Sequence, residues 1–347
     1  MENIKAYTRE GLADLMEEMG QPRFRIKQIV PWLYQRGVAS YDEMTDLPAK
    51  LREELKERAP LYVPEMINRQ ISKDGTRKYV WKFHDGACVE TVAMPSRESS
   101  NGPSRLTVCF STQVGCPMAC SFCATGREGF TRNLTPGEMV DQILLAGKDM
   151  GMRVSNIVAM GQGEPFLNYD NVLAALRFAN AKDGLGIGAR HITVSTCGIR
   201  SGVEKFSHEK EQFTLALSLH SAVQKTRDEL MPKMANSPLA ELKQTMADYV
   251  ERTGRRATFE YLLIRGVNDS DRELEALKRF CGGILCHVNI LPVNDVEGSP
   301  FKPASKQTVS KWISELERIG VEATLRDSRG ADIDGACGQL KNAMNKH

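Results

Sequence analysis

From residue 105 onward, short apolar runs alternate with stretches whose apolar residues recur at helical spacing. The runs at 106–110, 157–160, 192–194, 213–219, 259–264 and 288–291 are short and rich in β-branched and aromatic residues, which predicts strands. Between them, residues 136–150, 172–181, 239–252 and 272–280 carry the helical pattern, the first behind an N-cap at Thr135. About six strand-helix units in succession predict an α/β chain with a parallel sheet, either doubly wound or curved into an incomplete barrel. In barrels the reactive residues gather beyond the C-terminal ends of the strands.

The front of the chain has a different pattern. Residues 8–58 read as helices, in which Arg23, Arg25, Lys27 and Arg36 cluster around Ile29, Trp32, Leu33 and Tyr34. A solvated charged face accounts for this pattern, and so does a grip on phosphates. From 66 to 94 the pattern turns to short strands, with turn signals at Lys73-Asp74-Gly75 and His84-Asp85-Gly86, and 95–104 reads as a polar loop. The expected organisation is a helical module over 1–60, a β extension and linker over 61–104, and the α/β core over 105–347.

Composition narrows the class. A chain of 347 residues, 41% hydrophobic and 26% charged, is that of a soluble globular protein. Met1 to Leu12 lacks the apolar run of a signal peptide, and no stretch approaches the ~18 apolar residues of a spanning helix. A cytoplasmic protein without a membrane partner is expected. In that compartment nine cysteines read as ligands, catalytic thiols or core residues rather than a disulfide frame. A net charge of +2 means that any nucleic acid must be held by local basic patches.

The chemistry is concentrated in Gly115-Cys116-Pro117-Met118-Ala119-Cys120-Ser121-Phe122-Cys123, a C-x₃-C-x₂-C spacing. Structural zinc sites and ordinary four-iron clusters close with four protein ligands, so three thiolates leave one metal corner open. Core cysteines, or a zinc knuckle completed from elsewhere, are the plainer explanations, but free cysteines are seldom so clustered. The spacing resembles that of the radical S-adenosylmethionine (SAM) superfamily, which implies a [4Fe-4S] cluster at Cys116, Cys120 and Cys123 and SAM as cofactor. Four further motifs follow strands: Gly161-Gln162-Gly163-Glu164-Pro165, Ser195-Thr196-Cys197-Gly198, Ser218-Leu219-His220 and Pro292-Val293-Asn294. Each alone is a turn, a cap or a structural histidine. Together, at corresponding places downstream of the cysteines, they make Gly163, Glu164, Ser195, Ser218, Leu219, His220 and Asn294 candidates for the SAM-binding residues.

The end of the chain narrows the resemblance. Arg329-Gly330-Ala331-Asp332-Ile333-Asp334-Gly335-Ala336-Cys337-Gly338-Gln339-Leu340 places one cysteine in a loop of small residues. With Cys109, Val89-Glu90-Thr91-Val92 and Gln21-Pro22-Arg23-Phe24-Arg25, it resembles the RlmN/Cfr family of radical-SAM RNA adenine methyltransferases over nearly the whole chain, closer to the RlmN branch. Gln162, where the family commonly has Met, and Gly335, where it commonly has Ala, are departures; the first leaves the motif's glycines and Glu164 in place.

The resemblance implies a partial (βα)6 radical-SAM barrel and methylation of adenine C2 in 23S rRNA and, in some members, tRNA. Two SAM molecules serve each turnover. Cys337 matches the cysteine that is methylated and then linked to the base, Cys109 the thiol that resolves the link by a disulfide, and Glu90 a proposed proton acceptor, with Cys109 the alternative that stays open for removal of the ring proton. From its residue type alone, Glu90 reads as a solvent-facing strand residue. An electron donor such as flavodoxin or ferredoxin is implied. C8 methylation, as in the Cfr branch, stays open, as do a glycyl-radical activase and a non-enzymatic iron-sulfur RNA-binding sensor.

Overall fold

The computed structural model describes residues 2–96, 105–294, 296 and 298–341, so the expected 95–104 loop lies outside the described residues from 97 on. The helical front holds α1 (Arg9–Glu18), α2 (Ile26–Pro31) and α3 (Ala49–Arg58). Thr8 caps α1, its Oγ1 accepting the Gly11 N–H at 3.1 Å. Leu12, Leu15 and Met16 of α1 pack with Ile29, Val30, Leu33 and Tyr34 in the core. The module is seated by charge as well as by apolar contact. Lys5 Nζ lies 2.6 Å from Asp141 Oδ1, both side chains buried, and Arg9 forks onto Asp183. Removing one member of a buried pair strands the other, at a cost of about 3–5 kcal/mol, so Lys5 and Asp141 specify this docking.

Strands β1 (Glu65–Ile71), β2 (Arg77–Lys82) and β3 (Cys88–Pro95) form an antiparallel meander. Its two turns carry Gly75 and Gly86 at φ 86°, the conformation the Asp-Gly signals call for. β3 then pairs antiparallel with β4 (Leu106–Cys109), so the extension continues the main sheet. A small ribbon of β5 (Gln113–Gly115) and β6 (Phe130–Asn133) follows, enclosing the cysteine stretch and α4 (Ala124–Glu128).

Beyond it the chain alternates α5 (Pro136–Met150), β7 (Val154–Ala159), α6 (Tyr169–Asn180), β8 (Ile192–Thr196), α7 (Arg200–Ser207), β9 (Thr214–Ser218), α8 (Gln224–Leu230), α9 (Leu239–Thr253), β10 (Ala257–Leu263), α10 (Asp271–Cys281), β11 (Cys286–Pro292), α11 (Lys306–Arg318) and β12 (Glu322–Leu325). The ten-stranded sheet runs β1-β2-β3-β4-β7-β8-β9-β10-β11-β12, parallel from β4 to its far edge. All six expected strands are present. β12 is additional: four mostly exposed residues carry too little apolar pattern to announce a strand. The short helices α7 and α8 and the longer α11 lay outside the expected helical ranges, while Thr135 caps α5 in a capping box with Glu138 as expected.

Strand residues Val108, Ile157, Val194, Leu215, Phe259 and Val288 share one core with Val140, Leu176, Leu242, Leu277 and Trp312 of the covering helices. Each such side chain stabilises the fold by about 1.5–3 kcal/mol through its burial. Among the described residues no helix is long and apolar enough to cross a membrane.

Candidate active site at the carboxyl ends of the strands

Gly115 begins the cysteine loop with φ 76°, and a Cβ there would stand 2.1 Å from the Gly129 carbonyl oxygen. Cys116 N–H donates to that same carbonyl at 2.7 Å, tying the loop at its base. The chain turns at Ala119, at φ 51°, and Cys123 N–H reaches the Cys120 carbonyl at 3.1 Å. All three thiols are free and half-buried, Cys116 and Cys120 against the apolar cluster of Met118, Leu230 and Met231. Burial pushes Cys116 up to about 12, with Cys123 adding to it; burial, Cys123 and Cys116 push Cys120 up more strongly. Thiols that raise one another's proton affinity stand near one another, and iron would displace their protons.

Among the described residues, no three His, Cys, Asp or Glu side chains converge on one ion. A four-iron cluster takes one thiolate per iron and spaces them, so this soft, all-sulfur donor set fits such a cluster and leaves one iron for another ligand.

The motifs after the strands assemble around this loop. Gly163 has φ 107°, and a Cβ there would meet Gln113 Cβ and Thr112 Oγ1 at 2.7 Å. Glu164 is buried, with Oε1 accepting from Thr196 Oγ1 at 2.7 Å and Phe166 N–H at 3.0 Å, and Oε2 from Cys197 N–H at 2.7 Å. Its side chain therefore ties the loop after β7 to the loop after β8. Burial raises its proton affinity and these donors oppose the rise. Ser195 and Ser218 face each other with Oγ atoms 3.2 Å apart. Leu219 and His220 both donate their N–H to the Glu260 carbonyl. Leu262 N–H donates to His220 Nδ1 at 3.1 Å; burial and the nearby Arg227 hold this imidazole at about 3, so it is neutral. Its ring meets Phe122, between Cys120 and Cys123, edge-on at 4.7 Å.

The C-terminal loop lies across these elements. Ala124 N–H donates to the Gly338 carbonyl at 2.8 Å, Thr125 Oγ1 to the Leu340 carbonyl at 2.6 Å, and Asn294 Nδ2 to the Cys337 carbonyl at 3.1 Å. Asp332 accepts from Ser72 Oγ and Lys73 N–H in the β1–β2 turn. Cys337 is an exposed residue, but the packing around its sulfur pushes the thiol up to about 11, with Glu260 and Cys123 adding to it and Arg326 opposing. Cys109 is pushed up to about 12 by burial and by Cys337. The chain thus brings Cys337 within electrostatic reach of both Cys109 and Cys123. Glu90 is buried rather than solvent-facing, 3.3 Å from Lys78 Nζ, and its Oε2 accepts the Lys341 N–H at 2.8 Å. Its proton affinity is raised by burial, with Lys78 opposing.

Several residues here had no role assigned from the sequence. Gln162 does more than leave its glycines in place: its Oε1 accepts the Glu90 N–H at 3.0 Å and its carbonyl takes Thr112 and Gln113. Lys78 and Arg227 are buried cations in otherwise ordinary segments. Glu260 had one available signal, a lone carboxylate inside an apolar strand. Cys88, Cys197, Cys281 and Cys286 are buried. In the front module Arg23 is held by Asp14 and Glu17, while Arg25 stacks on the exposed Phe24, Arg36 covers Trp32, and Lys27 is exposed.

Residues 110–277 match the radical SAM superfamily model, and residues 2–61 match the model of the ribosomal RNA large subunit methyltransferase N-terminal domain. A Clostridium perfringens protein named "Probable dual-specificity RNA methyltransferase RlmN" is 42% identical over 347 residues, covering 100% of this chain and 98% of its own. A Symbiobacterium thermophilum protein of the same name is 45% identical over 343 residues, covering 97% and 91%. The crystal structure of a radical SAM methyltransferase from Sphaerobacter thermophilus superposes with a TM-score of 0.90 at 41% identity, covering 98% of this chain and 99% of that one. Full-length similarity at this level, on a fold that gathers three cysteines and a fourth from the C-terminal loop, shows that the chain belongs to the RlmN family of the radical SAM superfamily, with a [4Fe-4S] cluster and SAM as its cofactors.

Proposed function

We propose that this chain is an RNA methyltransferase acting at C2 of an adenine in 23S rRNA, with the adenine 3′ of the tRNA anticodon as a second substrate. The relatives' names support RNA as the substrate class. What supports the mechanism is that the loop carrying Cys337 is tied to Ala124 and Thr125, just after the cluster cysteines, and to Glu90, with Cys337 in the electrostatic field of Cys109 and Cys123.

When bound at Cys116, Cys120 and Cys123, the cluster and SAM supply a methyl group and, after one-electron cleavage, a hydrogen-abstracting radical. Adenine C2 is an electron-poor carbon and cannot attack a methyl donor, so the methyl must first be carried by a protein atom. Cys337 is that carrier: its sulfur accepts the methyl, and the carbon so held bonds to C2. Glu90, beside Lys78 and poised by burial, takes the ring proton. Once the ring proton is lost, the odd electron left by radical addition passes back to the redox chain and the ring is aromatic again. Cys109, as thiolate, then attacks the Cys337 sulfur, and the carbon-sulfur electron pair goes to the exocyclic carbon, which takes up a proton to become the methyl group. A Cys109–Cys337 disulfide remains for a two-electron reductant to reopen. Gly163, Ser195, Ser218, Leu219, His220 and Asn294 border the SAM space, and Glu164 holds two of its walls together. The target base must leave its stack to reach this site. Phe24, Arg25 and Lys27 offer a stacking face and charge to unpaired RNA, with affinity that falls as salt rises. Electrons come from a donor such as flavodoxin or ferredoxin.

Nucleoside mass spectrometry of 23S rRNA and tRNA from cells with and without this protein tests the proposal. Loss of 2-methyladenosine from both is expected. Loss of 8-methyladenosine instead, or no change in either RNA, would overturn it.

A further inference from the structure

Arg227, in α8, is completely buried, and the one acid that acts on it, the neighbouring Asp228, does so only from a distance, without an ion pair. Nε donates to the Leu219 carbonyl at 3.2 Å and Nη2 to the Cys197 carbonyl at 2.6 Å, while Nη1 has no hydrogen-bond partner. Among the described residues no carboxylate lies within ion-pair distance of it. A guanidinium does not shed its proton, so this is a fixed positive charge, and a buried charge without a counter-ion is strongly destabilising. The site is therefore built to face an anion.

Its neighbours indicate which one. α8 ends at Leu230, whose carbonyl accepts both Ser121 N–H at 2.9 Å and Ser121 Oγ at 3.2 Å, and Ser121 directly follows Cys120. Leu230 and Met231 belong to the apolar cluster against which Cys116 and Cys120 pack. Arg227 also lies in the field of the Cys197 and Cys120 sulfurs and, more weakly, of Asp228, whose carboxylate is engaged by Gln224. Cys197 stays a neutral thiol, its proton held by burial and by Glu164, which leaves the cluster-bound Cys120 thiolate as the anion.

We propose that Arg227 is the counter-charge of the iron-sulfur cluster, a positioning residue whose buried guanidinium favours the cluster's reduced state while tying the loops of Ser195 and Ser218 to the cysteine loop. This rests on Cys116, Cys120 and Cys123 being the cluster ligands. Reduction adds a negative charge to an already anionic thiolate assembly, and a cation held in low dielectric lowers the free energy of that state. Without it the cluster should be harder to reduce.

The test uses the full chain, reconstituted anaerobically and titrated without SAM by electron paramagnetic resonance. Arg227→Gln should take up wild-type iron and sulfide but shift its reduction equilibrium about tenfold or more toward the oxidised form, ~59 mV for one electron. Arg227→Lys, which restores the charge, should recover most of the shift. Full loading of Arg227→Gln with an unshifted potential would overturn the proposal. Should Arg227→Gln fail to fold or load, wild-type protein carrying ¹⁵N-guanidino arginine decides: a nitrogen hyperfine coupling to the reduced cluster, lost in Arg227→Lys, supports it. No coupling, or coupling only after SAM is added, overturns it. Iron retained by Cys120→Ala would instead remove the ligand assignment on which the proposal stands.

Discussion

Lys78 Nζ stands 3.3 Å from Glu90 Oε1, with both side chains 5% exposed, and Lys341 N–H closes on the other oxygen at 2.8 Å. The carboxylate is thus held between a strand cation and the backbone of the C-terminal loop. The carboxylate proposed above as proton acceptor is thereby also a structural tie for the loop that carries Cys337.

Lys78→Met should expose this double role. Removing the cation strands a buried carboxylate, so a loss of about 3–5 kcal/mol is expected at neutral pH. Burial already raises the proton affinity of Glu90, with Lys78 opposing, and the variant raises it further. A carboxyl whose folded-state affinity is raised stabilises the fold below its ordinary range near ~4.3 and loses that contribution as pH rises through its folded value. Thermal unfolding should therefore show the deficit shrinking from pH 7 to pH 5. An equal deficit at both values would count against the pairing.

Cys116→Ala, Cys120→Ala and Cys123→Ala should each abolish the functional cluster and reductive cleavage of SAM, because no spare thiolate stands in the set. Gly115→Ala should lose iron as well while keeping all three thiols, since its Cβ would lie 2.1 Å from the Gly129 carbonyl oxygen. Iron analysis and anaerobic 5′-deoxyadenosine release check both. Full retention in any cysteine variant would remove that residue from the ligand set.

Glu164→Ala leaves Thr196 Oγ1, Cys197 N–H and Phe166 N–H without their acceptor. Each donor left dry costs about 1–3 kcal/mol, and the three need not add. Denaturant unfolding should report the loss, and Glu164→Gln, which keeps one oxygen, should recover part of it. If the alanine variant kept wild-type stability, the carboxylate would not be the tie between the two loops.

Cys109→Ala should still methylate Cys337 and still cleave SAM, but stall with RNA attached. The expectation rests on the proposed resolving role of Cys109, the cysteine at the end of β4 that lies in the electrostatic field of Cys337. Denaturing gels with labelled RNA should show a slow, nuclease-sensitive band. Normal turnover without that band would assign resolution to another group. Cys337→Ala should bind a cluster yet carry no S-methyl group, which peptide mass spectrometry reads directly.

Local chemistry made much of this legible. The alternating apolar runs announced the strands from 106 to 291 because a strand buried under helices needs a short apolar run wherever it occurs. The Asp-Gly turns, the Thr135 cap and the C-x₃-C-x₂-C spacing are likewise properties of a few consecutive residues. β12 was missed for the converse reason: an edge strand of four residues needs almost no apolar signature to pair with β11.

What the amino-acid sequence determined by itself was the strand-helix alternation, the cysteine loop and the presence of polar groups just after the strands, since each is written within one element. Only the tertiary structure decided that Lys78, Gln162 and Lys341 converge on Glu90, that Glu164 spends its oxygens on a neighbouring loop, that Cys337 returns to Cys109, and that Arg227 is buried without an ion pair. These relationships join residues from different elements, and their energies depend on burial and on which charges share a low-dielectric space, quantities that exist only once the sheet and its covering segments have packed together.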